Sequence, residues 1–145
     1  MDQETIDKKK FWQLADKSML KAMPNPDNSA YENRIKGSEI TFLGVDGQPD
    51  FAIVYIDFYA KEKVIELKSL KKYFYQYRDM IISYERLINI IYNHLLEFYS
   101  PARLRISMEF NVRGGFSSKL TIDSDWAIRG GKEEFNDWKQ QKDTW

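Results

Sequence analysis

Three short stretches of this sequence carry more chemical character than a core requires. In Gly47-Gln48-Pro49-Asp50 a carboxylate follows turn-forming residues, where it can sit at the mouth of a sheet and donate or accept a proton. In Glu66-Leu67-Lys68-Ser69-Leu70-Lys71-Lys72-Tyr73 a carboxylate able to receive ligand N–H groups lies beside lysines able to face an anion. In Arg113-Gly114-Gly115 a glycine-exposed backbone beside a guanidinium can form a small phosphate cradle. Each stretch also has a plainer reading: a tight turn, a charge-paired edge strand, and the end of a strand. Glu85 falls in the first turn of an expected helix, where exposed N–H groups favour a carboxylate in any case. His94 falls on the apolar face of that helix and reads as a packed or interface histidine, since no cysteine or second histidine can pair with it.

The chain has no cysteine and one histidine, so a thiol nucleophile and a metal site of several Cys or His ligands are both excluded. No metal is expected. Twenty-two basic residues balance 22 acidic ones, which argues against direct nucleic-acid binding, because that needs a basic surplus to displace counterions. No apolar run approaches the roughly 20 residues of a membrane span. The opening Met1-Asp2-Gln3-Glu4 lacks the basic-then-apolar pattern of a secretion signal. With no disulfide available, a cytoplasmic location is expected.

These residues need elements to hold them. Lys10 to Met23 has helical apolar spacing and is stopped by Pro24-Asn25-Pro26. Strands are expected over Ser38–Val45 and Phe51–Tyr59, separated by the Asp46–Asp50 turn, with Val64–Leu70 returning as a shorter, more polar strand. Alternation in that strand would put Glu66 and Lys68 on one face, and Ser69 and Lys71 on the other. Ser83 caps a long helix whose apolar face is Leu87, Ile90, Ile91, His94, Leu95 and Phe98, ending before Pro101. Arg103–Val112 and Phe116–Ile122 complete the pattern as strands. The order predicts an α+β layer, one antiparallel sheet with helices on one face. Oligomerisation is one way to cover its edges.

In order and spacing these stretches resemble the QueF family, the NADPH-dependent 7-cyano-7-deazaguanine reductases of queuosine biosynthesis, over about Ser38 to Phe116. The octapeptide from Glu66 is similar to the family signature, Glu-Ser/Leu-Lys-Ser/Thr-hydrophobic-Lys-x-aromatic. Gly47 to Ala52 looks like the segment holding the proton-donating aspartate, and Arg113-Gly114 like the pair at the cofactor. The resemblance implies the tunnelling fold (T-fold), whose subunits join their sheets into a β-barrel and bind purine- or pterin-like ligands between subunits. It implies Asp50 as the catalytic acid; Ile65, Glu66, Leu67, Tyr84 and Glu85 at the substrate; and Leu67, Lys68, Arg113 and Gly114 at NADPH. The family's His-Glu pair stands here as Tyr84-Glu85. Seven residues before Asp50, where the family has the cysteine that attacks the nitrile and forms a thioimide, stands Leu43.

The expected organisation is an N-terminal helical or loop extension over 1–37, a T-fold domain over 38–123 and a polar tail over 124–145. The expected activity is reduction of a 7-deazaguanine- or pterin-like heterocycle, or of a relative, by NADPH in a homo-oligomer. Two other readings stay open. One is a heterocycle-binding module without catalysis. The other is a metal-free T-fold enzyme acting on a pterin or purine, with Lys68 or Lys71 and Tyr73 moving protons.

Overall fold

A computed structural model describes residues 11–128. Four strands, β2 (Asn33–Leu43), β3 (Pro49–Tyr59), β5 (Arg103–Arg113) and β6 (Phe116–Asp123), form one antiparallel sheet in the order β2-β3-β5-β6. Its two central strands bury one face: Ala52, Val54, Ile56 and Phe58 from β3, and Leu104, Ile106, Met108 and Phe110 from β5. Helix α1 (Leu67–Tyr75) packs on that face with Leu70, Tyr73 and Phe74. Helix α2 (Tyr84–Tyr99) does so with Leu87, Ile88, Ile91, Leu95 and Tyr99. Each large side chain removed from water contributes roughly 1.5–3 kcal/mol, which is what fixes the helices to one face of the sheet. The T-fold arrangement expected from the sequence is therefore present: an antiparallel sheet with its helices on one side.

Strand β2 keeps its apolar residues on the core face by means of a bulge. Gly37 pairs with Val54 and Ile40 with Ala52, so one extra residue lies between them. Ile35 faces the core before the irregularity, and Ile40 and Phe42 after it, with the parity reversed. A Cβ on Gly37 would lie 2.7 Å from Cγ1 of Val54, so the close strand approach requires glycine here. The opposite sheet face is mixed, with Ile53, Tyr55 and Tyr59 of β3 beside charged residues. Across it runs a row of alternating charge, Arg34–Asp57–Arg105–Asp123, set by strand register.

Several expected elements differ. Only a 3-10 turn, Phe11–Leu14, occupies the expected N-terminal helix, whose first residue lies outside the described residues. The same stretch then runs into strand β1 (Ala22–Pro24), which pairs with β4 (Lys63–Ile65) as a second, two-stranded sheet. The strand expected over Val64–Leu70 stops at Ile65, and Leu67 begins α1 instead. The reason is local: the Glu66 carboxylate accepts the N–H groups of Lys68 and Ser69, an N-cap. The burial of Leu70, Tyr73, Phe74 and Tyr77 then follows a helical period, so Glu66 and Lys68 do not share a strand face. Strand β2 begins at Asn33, five residues before the expected start of the main domain. Ser83 caps α2, accepting from the Arg86 N–H at 3.2 Å, as the sequence suggests. Helix α3 (Ser124–Ile128) opens the expected C-terminal tail, the rest of which lies outside the described residues.

Candidate functional site

Asp50 stands near the start of β3, paired with Phe42 across the first hairpin and only 3% exposed. Its Oδ1 accepts the Phe51 N–H at 2.8 Å. Its Oδ2 accepts the hydroxyl of Tyr84 at 2.6 Å. Arg113, arriving from the β5–β6 hairpin, places Nη1 3.8 Å from the same oxygen and donates to the Pro49 carbonyl at 3.0 Å. The turn at the hairpin tip has two consecutive left-handed glycines, Gly114 at φ 58° and Gly115 at φ 83°. A Cβ at either would meet nothing within 4 Å, so backbone there is open to a ligand.

These groups surround a cleft of about 270 Å³ that Gly44, Asp46, Ile82 and Glu85 also line. Tyr84 is stacked on Phe110, ring centroids 3.9 Å apart and nearly parallel, and meets Phe42 edge-on. Burial, then the hydrogen bond to Asp50, pushes its phenol up to about 12, so it remains a proton-bearing donor at neutral pH. Asp50, Tyr84, Glu85 and Arg113 thus form one group, with Gly114 adjoining it.

The residues of the Glu66 stretch form a second group elsewhere. Glu66 caps α1 with Oε1 3.1 Å from the Lys68 nitrogen and Oε2 2.7 Å from that of Ser69. The Ser69 N–H is the main cause holding this carboxyl below its ordinary value, so Glu66 stays ionised and can accept. Leu67 and Lys68 are exposed beside it, and Leu67 opens onto a larger groove of about 560 Å³ between α1 and β2. Ile65 is buried, so of the expected substrate residues it can offer only backbone. Glu66 lies at the far end of α2: its N–H and the Tyr99 hydroxyl share the Lys21 carbonyl. Glu85 lies in the first turn of α2 and Tyr99 ends it, which separates the two groups by about 21 Å at ~1.5 Å per residue.

Leu43 pairs with Pro49, and strand alternation turns it to the face opposite Phe42 and Asp50. Its backbone bonds Met80 and Ile82, at 2.9 and 3.0 Å. His94 joins neither group; its Nδ1 lies 2.7 Å from the Tyr73 hydroxyl, which also meets that of Tyr77. Among the described residues no cluster of three or more His, Cys, Asp or Glu could hold a metal ion. Sequence reasoning missed Asp46, which bonds Arg113 at 3.4 Å, although its place in the turn before Asp50 was visible. It also missed Lys21 and Tyr99, whose backbone carbonyl and hydroxyl meet at Glu66.

Residues 49–129 match the family described as QueF-like protein. This chain belongs to that family. The QueF-like chain is 34% identical over 120 residues to the NADPH-dependent 7-cyano-7-deazaguanine reductase of Thioalkalivibrio sulfidiphilus, covering 74% of itself and 93% of that protein. To the enzyme of the same name from Wolinella succinogenes it is 36% identical over 106 residues, covering 72% and 86%. Among solved structures it is similar to the archaeosine synthase QueF-Like in the apo form, with TM-score 0.58 and 15% identity, covering 68% of this chain and 95% of that one. At that identity the likeness shows the fold alone. No described helix is long and apolar enough to cross a membrane.

Proposed function

We propose that this QueF-like chain is an NADPH-dependent oxidoreductase that binds a 7-deazaguanine- or pterin-like heterocycle at a site completed between two copies. The observation that carries this reading is the buried Asp50 beneath Tyr84 and Arg113, in a cleft that Glu85 also lines. The names of its relatives supply the cofactor and substrate class. Completion by a second copy is supported by geometry: Glu66 and Glu85 lie at opposite ends of α2, too far apart to grip one small heterocycle. Strands β2 and β6 border the four-stranded sheet, where a barrel of joined sheets would be closed, and Met80 and Ile82 already bridge the β2 border at Leu43.

The residues present fit the cofactor. Arg113 and Lys68 offer cations for phosphates, and the unobstructed Gly114-Gly115 turn offers backbone N–H groups. NADPH, when bound, supplies a hydride. Glu66 and Glu85 accept N–H groups from the guanidine-like edge of the ligand. Tyr84 holds the Asp50 carboxyl in place, and that pair handles the proton which accompanies reduction. Ile82 and the Tyr84 ring, which is backed by Phe110, keep the cleft apolar on one side.

No thiol stands in the chain, and Leu43 faces away from Asp50. The acceptor is therefore one that needs an acid and no covalent step, such as an imine or carbonyl on the heterocycle. Calorimetric titration with 7-cyano-7-deazaguanine, followed by an NADPH-oxidation assay, tests the reading. Binding of the heterocycle and of NADPH is expected, with NADPH consumed only when the acceptor is reducible without a thiol. Absence of any response to NADPH at saturation would refute the oxidoreductase. Heterocycle binding with no turnover of any acceptor would instead leave a binding module.

A further inference from the structure

The segment that precedes β2 crosses both helices, and its contacts concentrate at the two ends of α2. The Trp12 ring lies under the Arg86 guanidinium at 3.9 Å, beside Glu85. Asp16 exchanges backbone bonds with the Gln76 side chain at 2.8 and 2.9 Å, and Leu20 is buried in the core. The segment then reaches Glu66. There the Lys21 carbonyl accepts two donors, the Glu66 N–H at 3.2 Å and the Tyr99 hydroxyl at 2.8 Å. The Lys21 N–H donates to Ser69 Oγ at 2.9 Å, and that hydroxyl donates to the Glu66 carbonyl at 2.8 Å. Tyr99 is 1% exposed, its ring edge-on to Phe58 at 5.7 Å, so its hydroxyl is aimed from the packed core.

We infer that Tyr99, acting through the Lys21 carbonyl, is a positioning residue for the Glu66 carboxylate, which makes the strap Leu20–Pro24 part of the ligand site. This rests on the reading of Glu66 as a ligand anchor. Two backbone N–H groups fix the plane of that carboxylate, and each oxygen keeps a lone pair for a ligand. A planar, two-point acceptor tolerates little tilt before one of its bonds is lost. The tilt is set by the turn Glu66–Ser69, and both ends of that turn are tied to Lys21. The β1–β4 pairing of Ala22 with Ile65 continues the same restraint along the chain.

Tyr99→Phe keeps the ring and removes the donor. It should raise the Kd for 7-cyano-7-deazaguanine by about tenfold. Tyr77→Phe deletes a comparably buried hydroxyl from the Tyr73 pair and should leave that Kd within about twofold while lowering Tm to a similar degree. If Tyr99→Phe lowers Tm but leaves Kd unchanged, Tyr99 is structural only and the inference falls. A second readout needs no ligand. In a ¹³C NMR titration the Glu66 carboxyl, below its ordinary value in the wild type, should move up in Tyr99→Phe as the Ser69 N–H loosens. Of the groups facing it, Lys21 lowers the carboxyl by its charge and Lys68 by its backbone N–H, and the Tyr99 phenol, which burial pushes up to about 12, stays neutral. An unchanged Glu66 titration overturns the inference. A wild type that binds no heterocycle refutes the proposed function instead, and the NMR arm alone then decides the role of Tyr99.

Discussion

The hydroxyl of Tyr84 lies 2.6 Å from Oδ2 of Asp50 and donates to it, tying the first residue of α2 to the start of β3. The Asp50 carboxylate is thereby held by another element, and it is reached from the cleft past the phenol and Arg113. Tyr84→Phe preserves the stack on Phe110 and deletes only this bond. With a reducible acceptor, kcat/KM is expected to fall by about 10- to 100-fold, while stability falls by about 1 kcal/mol. Steady-state kinetics beside thermal unfolding separates the two. Undiminished kcat/KM would remove Tyr84 from the proton-handling pair.

Placing Glu66 and Glu85 at opposite ends of one helix has a consequence for mixed assemblies. Glu66→Gln and Glu85→Gln homo-oligomers should each bind the heterocycle at least about 100-fold more weakly. Mixing the two variants under conditions of subunit exchange should restore part of the binding, because some interfaces then receive a wild-type carboxylate from each side. Failure of the mixture to exceed either parent, with exchange verified, would mean that both carboxylates serve one subunit's own site or that one serves none.

The only histidine in the chain, His94, gives a cleanly assignable pH effect. Burial, then the Lys17 ammonium, lowers its value from 6.5, with Glu97 and Asp16 opposing. The folded state therefore prefers neutral His94, accepting from the Tyr73 hydroxyl through Nδ1. Protons bind the unfolded chain more readily, so this contribution is complete above pH 6.5 and is lost as pH falls below it. The fall in Tm between pH 7 and pH 5 should be shallower in His94→Asn than in the wild type. Parallel curves for the two proteins would contradict this.

Asp123 lies at the end of β6 with Arg103 Nη2 at 2.6 Å and Arg105 Nη1 at 2.9 Å. Burial raises its carboxyl, but the bonds from Arg103, the Asp125 N–H and Arg105 outweigh that and hold it low. Asp123→Asn removes the carboxylate bonded to Arg105, which is mostly buried, and should cost about 2–3 kcal/mol in urea unfolding. This is below the figure for a wholly buried pair, because Arg103 remains partly exposed. A loss under about 0.5 kcal/mol would show that water screens the pair.

Gly37→Ala should cost about 1–3 kcal/mol, since the added methyl meets Val54 Cγ1 at 2.7 Å in the bulge. Val54→Ala in the same background should recover part of that loss, and a double-mutant cycle measures the coupling.

The sheet and α2 were legible because their signals are periodic. Phe51–Tyr59 is rich in β-branched and aromatic residues, and Ser83 precedes an apolar stripe of helical spacing. Asp50 and Arg113 were legible as chemistry through their turn residues, though not as neighbours, since 63 positions of chain separate them and only the β3–β5 pairing brings them together. The octapeptide misled in shape: Val64–Leu70 alternates well enough for a strand, and only the capping carboxylate of Glu66 with the period of Leu70, Tyr73 and Phe74 decides for a helix. Lys21 could not have been found from its side chain, because its backbone does the holding.

The charged row on the outer sheet face gives the molecule a polarity that composition conceals. It starts with a cation, Arg34, on one border strand and finishes with an anion, Asp123, on the other. Two copies meeting by like borders along this row would oppose cation to cation or anion to anion, which is unfavourable for directly facing strand residues. Meeting by unlike borders prolongs the alternation from copy to copy. A chain with no net charge thus carries a built-in sense of direction along its sheet, which suits head-to-tail joining of unlike borders better than two-fold joining of like ones.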